Sequence, residues 1–225
     1  MGKITLFPET TVKPITLVGR RAGVCWGANI SDDEKNYKRG IDCIEADHGR
    51  TLEFPNIEFV ADGYSARVLR EWYTHIGGLP TRLQASTRYI NYKDFPYVIP
   101  KSIEHHETAL KIYNGIMKLI SLGLQRLELL GIPREDSAMV LPLGMCSKLV
   151  DKRNLRNLID MSRNRMCSRA YWEFREMLDD LFNELRNYSD EWKYIIDTQM
   201  KPKCEVLGYC PEKHGCGRKQ KKVSE

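Results

Sequence analysis

The longest amphipathic segment of the chain, residues 102–130, constrains the fold more than any other feature. Ser102 and Glu104 are typical of a helix N-terminus, and Gly131-Ile132-Pro133 ends the periodic pattern. A helix of this length with one apolar face requires a partner surface, which the core of one chain or a second subunit would supply equally well. The apolar positions of this face are Leu110, Ile112, Ile116, Leu119, Ile120, Leu124, Leu127 and Leu130.

The remaining periodicities predict further helices and a few strands. Residues 11–18 alternate loosely and predict a strand, in which Pro14 indicates an edge position or a bulge. Ser31, followed by acidic residues, predicts a helix that ends near Ala46. The sequence therefore predicts a single α/β domain with helices in the majority over residues 1–200, followed by a tail over 201–225. The other predicted elements are a strand at 56–61, helices over 64–75, about 133–139, 151–162 and 168–187, extended or loop segments over 81–100, and a turn at 141–145.

Composition narrows the class of protein. Of the 225 residues, 42% are hydrophobic, which is enough for one sizeable core. The chain has neither the run of about 20 apolar residues that a membrane helix needs nor a signal peptide, which predicts a soluble cytoplasmic protein without a membrane partner. The cysteines number seven, an odd count that predicts reduced thiols. The net charge of +5 lies partly in the final GRKQKK, so it is weak evidence for nucleic-acid binding; a site for phosphorylated small molecules would produce the same surplus.

Three clusters of side chains have the residue types that chemistry requires. Residues 82–89 (RLQASTRY) combine arginines with hydroxyls, which suits a phosphate, although a solvated turn has the same composition. Residues 152–165 display amides, guanidiniums and a carboxylate, which suits the edge of a flat heterocycle or an exposed charged helix. The third cluster has five residues between successive cysteines, whereas zinc ligands are usually separated by two to four residues, so we predict no metal site. We also predict that the tail that carries this cluster lies on the surface or is disordered. Its members are Cys204, Cys210, Cys216 and His214.

The order and spacing of these clusters resembles the flavin-dependent thymidylate synthases. The resemblance rests on the segment 66–72, on STRY at 86–89, on LPLGM at 141–145, and on the interval from Asn154 through Arg165 to Trp172-Glu173. It implies the fold of that family, an α+β domain with a small, mainly antiparallel sheet and several long helices. It also implies the methylation of dUMP to dTMP with FAD, NADPH and 5,10-methylenetetrahydrofolate, in a homotetramer whose sites lie between subunits.

The same resemblance assigns roles to individual residues. No cysteine lies in a context with a base and an orienting partner, and in this family the uracil ring is activated by polarisation, a catalytic role that falls to Arg165. The residues implied to contact FAD are Thr51, His75, Asn154, Arg156 and Asp160. Those implied to contact dUMP are Glu71, Gln84, Ser86, Thr87, Arg88, Lys148 and Arg165.

One departure from the family pattern leaves rival hypotheses open. The family's Arg-His-Arg positions become Thr74-His75-Ile76, and two extra residues precede Ser86, so the charge of Arg82 is the candidate replacement. The first rival is a flavoprotein of the same fold without synthase activity. The second is a basic nucleic-acid-binding protein, suggested by the tail and by STRYINYKDFPY. Because acidic residues are spread throughout the chain, we predict no nucleic-acid partner.

Overall fold

A four-stranded antiparallel sheet forms the centre of the molecule in the computed structural model, which describes residues 2–222. Its order is β1-β2-β4-β3, and β2 is the longest strand. Phe59 of β2 lies opposite Asp151 of β4, and Leu83 of β3 lies opposite Val150 of β4. This confirms the predicted small antiparallel sheet. The strands are β1 (Lys3–Leu6), β2 (Asn56–Ser65), β3 (Thr81–Gln84) and β4 (Cys146–Asn154).

Helices cover the sheet and extend beyond it. One face of α8 buries apolar side chains at helical spacing against the sheet, among them Phe174, Leu178 and Leu181. Short 3-10 turns occur at Thr51–Glu53 and Ala138–Val140. The helices are α1 (Pro14–Cys25), α2 (Asp33–Glu45), α3 (Ala66–Trp72), α4 (Lys101–Glu104), α5 (Glu107–Leu129), α6 (Arg134–Ser137), α7 (Leu155–Arg165), α8 (Trp172–Tyr188), α9 (Asp190–Gln199) and α10 (Lys203–Leu207).

Two predicted elements were wrong in type. Residues 11–18 are not a strand, because Pro14 occupies the first turn of α1, where its fixed φ and missing N–H are tolerated. The predicted helix over 151–162 begins only at Leu155, since the residues before it form β4. Asn154 is the N-cap of α7, and its side chain accepts a hydrogen bond from the Asn157 N–H.

The long amphipathic segment also differs from its prediction. It divides into α4 and α5 at His105-His106, where the His106 imidazole caps the first turn of α5. Within the described chain only Met117 and Leu124 of α5 are buried. Ile112, Ile116 and Leu119 are 59%, 49% and 69% exposed. Half of the eight apolar positions predicted for this face are therefore exposed in a single chain, and Leu124 alone among them is buried.

The tail is folded against the body of the molecule. Cys204 of α10 is buried, and Arg169 forms ion pairs with Glu212 in the tail. Cys167, Cys204, Cys210 and Cys216 line one pocket of about 50 Å³. Residues 2–222 contain no cluster of side chains placed to hold a metal ion and no helix long and apolar enough to cross a membrane. Most residues of the tail are exposed, whereas Pro202 and Cys204 are buried; residues 223–225 lie outside the described chain.

Candidate active site

Arg165, the last residue of α7, lies at the centre of a polar cluster that we call the arginine cluster (Glu71, Thr74, His75 and Arg165). Its Nε donates to Nε2 of His75 at 2.8 Å, and its Nη1 donates to Glu71 Oε2 at 3.0 Å. A longer contact of 3.4 Å joins its Nη2 to the Thr74 hydroxyl. The guanidinium lies over the Phe174 ring, 4.8 Å from the centroid. Three separate groups therefore fix the direction of the fork.

His75 is held neutral in this cluster. Burial first, and then the positive charges of Arg165 and Arg153, together lower the pKa of His75 to about 4. Since Nε2 accepts the hydrogen bond from Arg165, Nδ1 carries the proton in the neutral ring. A neutral imidazole can orient Arg165 without competing with it for an anionic partner.

An aromatic layer lies beneath the arginine cluster. Trp72 stacks on Phe174 with centroids 5.2 Å apart, and the His75 ring meets Phe174 edge-on at 5.7 Å. Trp72 is fully buried between α3 and the sheet. The cluster thus has a rigid apolar base, which strengthens its polar contacts by lowering the local dielectric constant.

The residues predicted to contact FAD lie around α7 and the segment before β2. Arg156 packs over Gly49 and pairs with Glu53 at 3.0 Å, while Asp160 pairs with Arg163 at 3.5 Å. The Thr51 hydroxyl donates to the His48 carbonyl and borders an open pocket of about 350 Å³ that Trp26 also lines. Asn154 lies at the start of α7, next to Gly78. His75, also predicted for FAD, contacts Arg165 in the arginine cluster.

A hydroxyl, an amide, a guanidinium and an apolar pocket are the groups that a flavin dinucleotide requires. The residues around α7 therefore fit FAD, with Arg156 suited to the pyrophosphate because its fork binds phosphate oxygens.

Among residues 2–222, no hydrogen bond joins the residues predicted to contact the dUMP phosphate and sugar to the arginine cluster. We call residues 84–88 the 84–88 loop. Gln84 is exposed at the end of β3, and Arg88 pairs with Glu135 at 2.8 Å. The Ser86 hydroxyl accepts from the Arg88 N–H, and Thr87 borders a small pocket near Arg134. Lys148, also predicted for dUMP, pairs instead with Asp62 on the neighbouring strand at 2.7 Å.

Arg82 lies beside the positions where the two family arginines are missing. Its Nη1 donates to the Tyr73 carbonyl at 2.7 Å, and its guanidinium lies 4.5 Å from the centroid of the Tyr73 ring. This places a positive charge from β3 against Tyr73, the residue before Thr74.

The sequence did not reveal two buried charges of β4, Asp151 and Arg153. In β4, buried positions alternate with exposed ones such as Lys148 and Lys152, as in any half-buried strand. The alternation is not visible as a hydrophobic pattern, because two of the buried positions are charged.

Comparison with known proteins identifies the family of the chain. Residues 9–189 match the family model described as thymidylate synthase complementing protein. A flavin-dependent thymidylate synthase of Pyrococcus abyssi is 32% identical over 175 residues, which cover 74% of this chain and 69% of that protein. One from Thermococcus kodakarensis is 33% identical over 170 residues, with 73% and 68% covered.

A solved structure shows the same fold. The UMP/dUMP methylase PolB from Streptomyces cacaoi, bound with 5-Br dUMP, superposes with a TM-score of 0.73 at 14% sequence identity. The match covers 89% of this chain and 96% of PolB.

Proposed function

This chain belongs to the family of flavin-dependent thymidylate synthases, and from that premise we propose that it methylates dUMP to dTMP. We propose 5,10-methylenetetrahydrofolate as the carbon donor, NADPH as the reductant and FAD as the bound cofactor. The single observation that supports this most is the arginine cluster, in which neutral His75 and Glu71 hold the Arg165 fork at 2.8 and 3.0 Å.

Arg165 is suited to stabilise charge that develops in a uracil ring. Its guanidinium is positive at any working pH, and Nη2 makes only one long hydrogen bond, of 3.4 Å, to the exposed Thr74 hydroxyl. This nitrogen can donate to a pyrimidine carbonyl oxygen as C5 attacks the carbon donor. Because Nε and Nη1 are already held, this donor needs little reorganisation during the reaction, which is the condition for effective electrostatic catalysis.

FAD would be held by Thr51, Asn154, Arg156 and Asp160, with Arg156 facing its phosphates. When bound, the flavin supplies the hydride relay from NADPH that reduces the transferred methylene group to a methyl. The protein's own part is to bind and orient the reactants. His75 supports this part by holding Arg165, and the aromatic layer below excludes water from one side of the cluster.

The site is completed by a second subunit in this proposal. Gln84, Ser86, Thr87, Arg88 and Lys148 would bind the sugar and phosphate of dUMP at the arginine cluster of a neighbouring chain. The uncovered apolar face of α5 supports a homotetramer, since a face with Leu119 at 69% exposure requires cover. Arg88 would exchange Glu135 for the nucleotide phosphate.

A flavoprotein without synthase activity is the second candidate. It is favoured by Thr74 and Ile76, which stand where two arginines are usual, and by Glu71, whose negative charge partly offsets that of Arg165. In that case the protein would bind flavin and NADPH but would not turn over dUMP.

Release of tritium from [5-³H]dUMP tests the proposal. We expect release that requires the folate, NADPH and FAD together, from a yellow protein of tetrameric size. A yellow protein that oxidises NADPH without releasing tritium would support the second candidate. A colourless protein that takes up no FAD would overturn both.

A further inference from the structure

A fully buried ion pair lies on β4, directly below the candidate active site. Asp151 and Arg153 point to the same face of the strand, and both side chains are 0% exposed. Arg153 binds the carboxylate with its fork, through Nε to Oδ1 at 2.7 Å and through Nη2 to Oδ2 at 2.6 Å. Neither charge has a part in the chemistry described above.

The pair connects the sheet to both elements that carry the arginine cluster. Asp151 Oδ2 accepts from the Trp72 indole N–H at 2.8 Å, and the Arg153 guanidinium lies 4.3 Å from the centroid of the Trp72 ring. Arg153 Nη1 donates to Oδ1 of Asn157 on α7 at 2.7 Å. Trp72 is three residues before His75, and Asn157 is on the helix that ends in Arg165.

Asn157 extends this connection to the loop after α3. Since its Oδ1 is occupied by Arg153, its Nδ2 is directed at the Gly77 carbonyl, to which it donates at 2.6 Å. The loop needs such a tie, because Gly78 and Leu79 both have positive φ, 69° and 52°, and Leu79 is not a glycine. A Cβ on Gly78 would lie 2.4 Å from Asn154 Nδ2, so the loop also packs closely on the α7 N-cap.

A buried ion pair contributes little net stability, because desolvation of two charges offsets their attraction. Here the pair specifies geometry, because Asp151 also accepts from the Trp72 indole and Arg153 also donates to Asn157, so that each charge has a directed contact outside the pair. We propose that Asp151 and Arg153 are positioning residues, which fix Trp72 and the 76–79 loop and thereby hold His75 and Arg165 in place. The effect on turnover rests on the proposed function, whereas the effect on the loop does not.

An apolar replacement of the pair separates positioning from stability. In Asp151→Leu/Arg153→Met the two charges are removed together, so we expect a folded protein whose thermal midpoint stays within about 5 °C of wild type. We expect backbone amides of residues 74–79 to exchange about tenfold faster or more, since Asn157 loses the Arg153 contact that orients its hydrogen bond to Gly77. We expect kcat to fall about 10- to 100-fold, with a smaller change in KM for dUMP, because misplacement affects the transition state most.

Asn157→Ala provides a second variant in case the double replacement does not fold. It leaves both buried charges and their mutual contacts in place, and removes the amide that joins Arg153 to the Gly77 carbonyl. The imidazole titration of His75, followed by NMR, is the readout that a purely structural role would not move. In wild type the pKa is about 4, set by burial and by Arg165 and Arg153, with Glu71 also facing the cluster. In Asn157→Ala we expect it to rise towards 6.5 as the loop loosens, although every charge is retained.

Arg186→Met/Asp197→Leu is the matched control, since it removes an exposed ion pair of α8 and α9 in the same manner. It should leave exchange, the His75 pKa and kcat unchanged. Wild-type loop exchange and an unchanged His75 pKa in folded Asn157→Ala would overturn the positioning role. Amide exchange and the His75 pKa are both measured without substrates. An inactive wild-type enzyme would therefore contradict the proposed function, whereas the positioning role would still be decided by these two measurements.

Discussion

The arginine cluster and the 84–88 loop carry the two halves of the proposed dUMP site, and they are built differently. Arg165 receives contacts from His75, Glu71 and Phe174 within one chain. Arg88, in contrast, is exposed and pairs with Glu135. The Glu135 carboxylate would compete with a phosphate for the Arg88 guanidinium. The half that would stabilise the transition state is therefore preorganised in each chain. In the proposed site, the half that would bind the nucleotide phosphate is completed only by a second chain.

Replacement of Arg165 should have the largest effect. Loss of one preorganised donor costs about 10²–10³-fold in rate, so we expect Arg165→Ala to lower kcat by that factor, with a smaller change in dUMP affinity. Arg165→Lys should recover little, because a single ammonium cannot reach His75 and Glu71 and also donate to the ring. Single-turnover formation of dTMP measures this, and Arg186→Ala is the control. Near-wild-type turnover of Arg165→Ala at saturating dUMP would show that the cluster is not catalytic.

The resemblance singled out three of the four residues of the arginine cluster, whereas local patterns missed the strand that supports it. It implied a dUMP contact for Glu71 and Arg165 and an FAD contact for His75; the structure brings the three side chains together, and those roles stay predictions. The strand β4 was missed because its inward positions 151 and 153 are charged, and such residues are buried only when a partner far from them in sequence satisfies them. Trp72, which lies 79 residues from Asp151, could not be recognised as that partner from local patterns.

The start of the chain teaches a similar lesson. Pro14, which in a strand would indicate an edge position or a bulge, is the first-turn proline of α1. A short apolar run fits both the helical period of 3.6 residues and the strand period of 2 residues. Here the packing of α1 on α2 selects the helix. Gly19 and Gly40 make that packing close, since a Cβ on either would lie 1.8 or 2.0 Å from a carbonyl oxygen of the facing helix.

Disruption of assembly should affect the two halves unequally. Leu119→Glu places a charge on the uncovered face of α5, where burial without a partner costs about 2–4 kcal/mol in association. We expect smaller particles by light scattering and a turnover lowered about 10- to 100-fold at low protein concentration, partly restored at high concentration. The His75 pKa should stay at about 4, since the arginine cluster is complete in one chain. Val206→Glu, on the exposed side of α10, is the control; equal loss in both variants would refute the shared site.

Arg88 should affect binding more than the chemical step. A charge-assisted hydrogen bond to a phosphate contributes about 1.5–3 kcal/mol, so Arg88→Ala should raise KM for dUMP about tenfold or more and change kcat less than about threefold. Glu135→Gln sharpens the test, because it removes the competing carboxylate and should lower KM slightly. Initial rates over a range of dUMP concentrations measure both. A fall in kcat at unchanged KM would contradict a binding role for Arg88 and indicate a role in the chemical step.

The pH dependence of stability distinguishes the buried half from the exposed one. The pKa of His75 is about 4 in the folded protein, below its ordinary value of 6.5, so the unfolded chain binds the proton more readily. The His75 contribution to stability is therefore complete above pH 6.5 and is lost as the pH falls towards 4. Between pH 6.5 and pH 4, the thermal midpoint should fall by about 3 °C less in His75→Asn than in wild type, after allowance for solvent screening. A decrease identical to that of wild type would show that His75 titrates normally.

The smallest effects should come from the cysteines, and they sharpen the comparison because Cys167 lies only two residues beyond Arg165. A nucleophilic cysteine requires a thiolate, which burial disfavours. Burial raises the pKa of Cys146, the cysteine of β4, and the nearby Glu173 raises it further. The cysteine with a lowered pKa is Cys216, whose sulfur accepts from the Ser168 hydroxyl, and it is exposed in the tail.

Ring activation by Arg165 needs no thiolate. We therefore expect Cys146→Ser and Cys167→Ser to change kcat less than about twofold and to cost at most about 1–2 kcal/mol in unfolding free energy. Chemical denaturation and tritium release on the same preparations separate the two effects. If either serine variant stayed folded and bound dUMP but released no tritium, covalent activation by that cysteine would replace polarisation by Arg165 as the source of catalysis.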